Sequence, residues 1–208
     1  LSAERMRKLV HEGSPLRDEA VIKGSETIIS EVNSLLRLVS NFNNFARLPE
    51  KKAELSNIKN IINDSVALFQ VYDKVTFEIN CTDSIPDMQL DRALLRQAFN
   101  NLLSNSIQAM RENGVIRIVC EPDREGLYIV IRIIDNGPGI KAQHIEKVFD
   151  PGFTFGKNGT GLGLAIVEKI VLEHDGKIYC RSEEGNGAEF IIKLPVDRGD
   201  FDGKNTAD

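Results

Sequence analysis

No run of 18 consecutive apolar residues occurs in the chain, and no cationic leader precedes an apolar core. The stretch is therefore read as neither crossing a bilayer nor carrying a secretory signal. Basic stripes with interleaved aromatics are missing as well: Lys and Arg number 26 against 31 Asp and Glu, for a net charge of −5. That balance excludes a nucleic-acid surface, which needs clustered cations to neutralise phosphate. Cysteine is scarce, with only Cys81, Cys120 and Cys180, far apart and without CxxC or CxxH spacing. A zinc site and a disulfide framework are thereby set aside, and a reducing cytosol is the expected compartment. What is present is 208 residues, 41% hydrophobic and 27% charged. This is enough for a soluble globular chain with one full core and a smaller accessory element.

Periodicity divides the chain near residue 50. Ile28, Val32, Leu35, Val39, Phe42 and Ala46 recur at alternating steps of four and three, the repeat of a helix seam in a bundle. A long helix is expected from Glu19 to about Ala46 and a shorter one from Leu1 to Glu12, broken by Gly13-Ser14-Pro15. Residues 1–50 are thus expected to be an antiparallel helical hairpin and its connector, a truncated dimerisation domain whose chain starts inside its first helix. The long arm spans about 40 Å and the short one about 18 Å, so much of the seam is unmatched within one chain.

Residues 51–198 show mixed patterning, and the tail from 199 to 208 is polar. Ile58, Ile61, Ile62, Val66 and Phe69 form a helical stripe, Val75 to Asn80 alternate as a strand does, and Asp91 to Met110 reads as a helix. Two hairpins follow, Val115–Cys120 with Leu127–Ile134, and Lys177–Arg181 with Ala188–Leu194, flanking a helix from about Gly161 to His174. Helices and antiparallel strands predict an α+β chain whose main part is a two-layer α/β sandwich.

Three blocks carry chemistry. Asn101 and Asn105 lie four apart on one helix and share a face, while Leu102, Leu103 and Ile107 turn the other way. Carboxamide oxygens suit a hard cation such as Mg2+ without adding charge to an anionic ligand. Asp135 ends an apolar strand and is followed by Asn-Gly-Pro-Gly, with Gly137 and Gly139. A carboxylate there can accept from the exocyclic amine of adenine, although each residue of this run is also a common turn former. Gly159, Thr160, Gly161, Leu162 and Gly163 run into a helix beginning at Leu164, whose free N–H groups and dipole favour phosphate. A GxGxG alone also serves tight turns, so the specificity rests on all three blocks together. Between them, residues 141–158 hold Phe149, Phe153 and Phe155 with few helix or strand cues, a segment suited to a lid. His144 and His174 are expected at the surface.

These blocks resemble the N, G1, F and G2 boxes of the histidine-kinase branch of the GHKL (Bergerat-fold) ATPases, over about Leu55 to Pro195. Leu1-Ser2-Ala3-Glu4-Arg5-Met6-Arg7 and Asn44-Phe45-Ala46-Arg47-Leu48-Pro49 further resemble nitrogen-regulation sensor kinases. The resemblance implies ATP and Mg2+ as ligands, with the metal on Asn105 and Asn101 and adenine on Asp135. Gly137, Gly139 and Ile140 would line the base and ribose side. Gly159, Thr160, Gly161, Leu162, Gly163 and Leu164 would surround the phosphates, with Phe149 anchoring the lid and Lys157 reaching the phosphates. The lid reads Phe153-Thr154-Phe155-Gly156-Lys157, which shifts the lysine by one position from the Phe-Thr-Thr-Lys common in the family, and Ala188 stands where many relatives carry Thr.

The same resemblance implies transfer of the ATP γ-phosphate to a histidine, then to a response-regulator receiver aspartate. It also implies a homodimer through the hairpin and a cytoplasmic portion whose membrane attachment, in the parent, lies upstream. His11 sits in His11-Glu12-Gly13-Ser14-Pro15-Leu16, where Gly13 and Pro15 place it at a helix end. An acceptor needs a rigid mid-helix position, and the LSAER similarity puts it ahead of Leu1. Two rivals stand. A hydrolase of another GHKL branch would need a Glu in the asparagine helix, where none occurs between Arg92 and Met110. A noncatalytic dimerisation scaffold would only sense ATP.

Overall fold

The computed structural model describes residues 21–32, 36, 50–155 and 159–196. By contact these form two units: residues 21–32, 36, 155, 159 and 160, and residues 50–154 with 161–196. In the first, residues 21–32 form an α-helix (α1) inside the stretch where the four-three repeat predicts one, with Ile28, Ile29 and Val32 exposed. His11, most of the expected hairpin, Lys157 and the polar tail lie outside the described residues.

The second unit runs β1 (Glu54–Ser56), α2 (Ile58–Ala67), β2 (Val75–Cys81), β3 (Met88–Leu90), α3 (Arg92–Ala109), β4 (Gly114–Pro122), β5 (Tyr128–Asp135), α4 (Ala142–Ile145), α5 (Gly163–Glu173), β6 (Lys177–Ser182) and β7 (Ala188–Pro195). Five strands make one sheet in the order β2-β4-β5-β7-β6, and β1 pairs with β3 in a separate ribbon. Helix α3 packs between α2 and α5 and against β4 and β5, while α5 also reaches β6, so one helical layer covers one sheet. The two expected hairpins are present as antiparallel pairs. At one edge the expectation of antiparallel strands is corrected: β2 runs parallel to β4, from Val75 opposite Gly114 to Cys81 opposite Cys120. A parallel neighbour requires a long crossover, and α3 lies in it. Strands β1 and β3, of three residues each, are too short to show a period, and α4 is a four-residue helix in the segment that offered few cues.

Alternation along the strands decides which side chains face the helices. On β4 these are Ile116, Ile118 and Cys120; on β5, Ile129, Ile131, Ile133 and Asp135; on β7, Ala188, Phe190, Ile192 and Leu194, all buried. The registers align them in rows: Ile118 beside Ile133 beside Phe190, and Cys120 beside Ile131 beside Ile192. Ile62, Phe99, Leu103, Ile118 and Ile133 close together with no room for a water molecule. Each such side chain contributes about 1.5–3 kcal/mol by leaving water.

The ends of α3 and α5 are joined by a buried polar knot. Asp91 caps α3, its Oδ1 accepting from the Leu94 amide at 3.0 Å and its Oδ2 from the Lys52 amide at 2.7 Å. The Asp91 amide donates to His174 Nε2 at 3.0 Å, and the other ring nitrogen of His174 lies 2.8 Å from the Ile170 carbonyl. A carbonyl only accepts, so Nδ1 carries the proton and the imidazole is neutral. His174, expected at the surface, is 5% exposed, because the last turn of α5 tucks against the start of α3. Burial lowers its pKa, and Lys51 adds to this against the pull of the Ile170 bond and of Asp91 and Asp175. Burial raises the Asp91 carboxyl, but the amides of Leu94, Lys52 and Ala93, with His174, outweigh it and leave the group below its ordinary value.

Asp91→Ala is expected to destabilise the chain by about 1–2 kcal/mol through loss of the cap, read as a lower urea midpoint. The pH response has two parts. His174 is held neutral in the fold, so its contribution is complete above the unfolded value of about 6.5 and is lost as pH falls below that toward its depressed folded value. The Asp91 contribution is present above the unfolded carboxyl value and is lost as pH falls through the lower folded one. The urea midpoint should accordingly fall between pH 7.5 and pH 5.5, and His174→Gln should flatten that fall; an unchanged slope in the variant would reject the assignment.

Candidate functional site

Helix α3 presents Asn101 and Asn105 half-buried, one turn apart, on the flank of its core stripe of Leu95, Ala98, Phe99, Leu102 and Leu103. They meet the start of α5. The Asn101 amide nitrogen donates to the Gly163 carbonyl at 3.3 Å. A Cβ on Gly163 would stand 3.7 Å from Asn105 Nδ2, 3.9 Å from its Oδ1 and 4.0 Å from Asn101 Cγ. Both carboxamides and the glycine therefore form one cluster. With its nitrogen engaged, the carbonyl oxygen is the remaining ligand atom of Asn101.

The start of α5 differs from those of α2 and α3. Asn57 caps α2 by accepting from the Lys59 amide, and Asp91 caps α3, whereas the N-cap of α5 is Leu162, whose hydrocarbon side chain supplies no cap. First-turn N–H groups without a side-chain cap, together with the helix dipole, suit an anion. Leu162 is buried and Leu164 half-buried. Gly161 has φ +66°, and a Cβ there would fall 2.3 Å from the Gly152 carbonyl carbon, while the Gly152 amide donates to the Gly161 carbonyl at 2.9 Å. Gly152 and Gly161 are thus held backbone to backbone. Gly159 and Thr160 fall in the first unit.

Asp135 occupies the last inward position of β5 and is 5% exposed. A carboxylate at a core position is costly unless donors surround it. Its Oδ1 accepts from the amides of Gly137 at 2.9 Å and Ala188 at 3.2 Å, and its Oδ2 from the Ser106 hydroxyl at 3.0 Å. Its charge reaches β6: burial and, after it, Asp135 push the Cys180 thiol up to about 11, so that thiol is neutral near pH 7. The run after Asp135 is stitched to the β6–β7 turn, with the Ile140 amide donating to Ser182 Oγ at 2.8 Å and the Gly185 amide to the Pro138 carbonyl at 2.7 Å. Gly139 has φ +70°, and a Cβ on it would come within 2.0 Å of the Glu183 carbonyl oxygen. Its need for glycine comes from this backbone approach, where the sequence suggested room for a ligand. Phe149 sets its ring edge-on to Phe190 of β7 at 6.5 Å, which ties the segment after α4 to the sheet.

Ser106 follows Asn105 on α3, so the two asparagines and Asp135 share one helix as their reference. Sequence reasoning passed over Ser106, the Ala188 amide, and Asn136, whose Oδ1 accepts from the Val115 amide at 2.8 Å. The signal for Ser106 was a hydroxyl in the inward phase of an apolar stripe. Amide donors such as that of Ala188 leave no trace in a side-chain pattern. Among the described residues no three His, Cys, Asp or Glu side chains converge to hold a metal. A cation at the asparagine cluster would be held by carboxamide oxygens together with oxygens of its ligand, a donor set that fits Mg2+ bound to a phosphate chain.

Residues 90–198 match the family model described as histidine kinase-, DNA gyrase B-, and HSP90-like ATPase. The chain is 35% identical to nitrogen regulation protein NtrY of Azorhizobium caulinodans over 95% of its length, and 31% identical to sensor histidine kinase ZraS of Escherichia coli K12 over 94%. It spans 26% and 42% of those proteins' own lengths. Among solved structures, the catalytic domain of histidine kinase ThkA superposes with a TM-score of 0.63 at 32% identity, covering 70% of this chain and 96% of that one. ThkA in complex with response regulator protein TrrA superposes at 0.71 with 27% identity, covering 93% and 55%. The chain belongs to the family of histidine kinase-, DNA gyrase B- and HSP90-like ATPases.

Proposed function

We propose that this chain is the ATP-binding catalytic core of a two-component sensor histidine kinase. The observation that carries the reading is that one helix, α3, holds the carboxamide pair at the start of α5 and, through Ser106, the buried acid of β5. A Mg-nucleotide laid along that helix has its adenine amine at Asp135, its metal at Asn105 with Asn101, and its phosphates at the start of α5. Ile140 and the glycines of the Asp135 turn border the base and ribose. Gly161, Leu162, Gly163 and Leu164 form the phosphate side in this reading, and Phe149 is the hinge point of the lid. Mg2+ supplies charge neutralisation across the phosphate oxygens, and the protein contributes positioning. The γ-phosphate passes to a histidine imidazole carried on a helix upstream of Leu1, then to a receiver aspartate on a response regulator; a relative, ThkA, forms a complex with one. Residues 1–50 act as the partial dimerisation hairpin of a homodimer, residues 51–198 as the catalytic domain, and the assembly works on the cytoplasmic side. Hydrolysis by water activation is disfavoured because α3 offers no Glu.

Calorimetric titration of the whole chain with ATP should show binding strengthened by Mg2+. Asn105→Ala should remove that strengthening, a loss of at least about tenfold; identical isotherms with and without the metal would count against the site. Incubation with γ-labelled ATP should leave the chain without acid-labile phosphate, and supplying the upstream helix of its parent should restore labelling. Stable label on His11 would overturn this placement of the acceptor.

A further inference from the structure

Two of the three donors to Asp135 are main-chain amides. Ala188 is brought to it by the β5–β7 register and Gly137 by the turn after β5. Both are main-chain N–H groups set by the backbone path, and both bonds fall on Oδ1. The third donor, on Oδ2, is the Ser106 hydroxyl, 1% exposed and 3.0 Å away. The final torsion of an aspartate is broad, without sharp staggered wells. Rotation about Cβ–Cγ displaces both oxygens, so the two amides hold the plane through Oδ1 alone, and the Ser106 bond is the protein donor that holds it through Oδ2.

We propose that Ser106 is a positioning residue for adenine recognition, locking the Asp135 carboxylate in the orientation that accepts the exocyclic amine. This deepens the ATP-binding reading and rests on it. The geometric consequence is a single frame: Asn105 and Ser106 are consecutive on α3, so the residue at the metal end and the residue that orients the base reader move as one rigid element. Rotation of α3 relative to β5 displaces both ends of the nucleotide site together.

The test compares ATP with purine riboside triphosphate, which lacks only the 6-amino group, using the whole chain. The native protein should bind ATP more tightly than the analogue. Ser106→Ala should weaken ATP by about fivefold, the scale of one hydrogen bond, and leave the analogue's affinity unchanged. Ser106→Cys, a similar shape with a weaker donor, should fall between. Equal weakening toward both nucleotides would mean that Ser106 only supports the fold and would overturn the proposal. A ratio unchanged in Ser106→Ala but collapsed in Asp135→Asn would overturn it too, while keeping the ATP reading. Equal affinity of the native protein for the two nucleotides would remove the adenine reading itself, and this inference with it.

Discussion

A carboxylate placed among apolar side chains organises this molecule. Asp135 continues the inward row Ile129, Ile131, Ile133 of β5 and is buried as they are. Left without donors, such a group costs several kcal/mol or takes up a proton. The surrounding architecture meets that requirement from three directions: the turn that follows it, the neighbouring strand β7 and the helix that covers the sheet. The β5–β7 register, the tight turn at Gly137 and the docking of α3 are each constrained by one oxygen pair.

The same constraint relates the two layers. Helix α3 is fixed over the sheet by its apolar stripe and at its N-terminus by Asp91, which also joins Lys52 and His174. Its middle turns carry the asparagines on the flank facing α5 and Ser106 on the flank facing β5. A nucleotide has two chemically distinct ends, a flat base with a polar edge and a hydrated phosphate chain. A stiff helix of 18 residues between an acid and a helix start is a suitable ruler for both. The segment from α4 to α5 is tied at Phe149 and at the Gly152–Gly161 backbone contact.

Much of this was legible from residues alone. Caps, hairpin turns and periods of 3.6 and 2 located α2, α3, α5 and all five strands of the main sheet within a few residues, because those signals are local. Asn101 with Asn105 and the GxGxG run were readable for the same reason. Three features were not. The parallel pairing of β2 with β4 depends on a crossover whose direction no strand pattern encodes. His174, a polar residue at a helix end, looks like surface until the start of α3 is laid beside it. Gly139 and Gly161 looked reserved for a ligand, whereas the space a Cβ would need is taken by the carbonyls of Glu183 and Gly152, distant in sequence.

The chain by itself determined the types of its longer elements, its family and the side-chain chemistry of its three blocks, since each is written in short-range spacing and side-chain identity. The tertiary structure alone decided that Ser106, one residue past Asn105, closes the hydrogen bonding of an acid 29 positions away. That contact depends on helix phase, strand register and the separation of the layers acting together, and none of the three can be read from a local pattern.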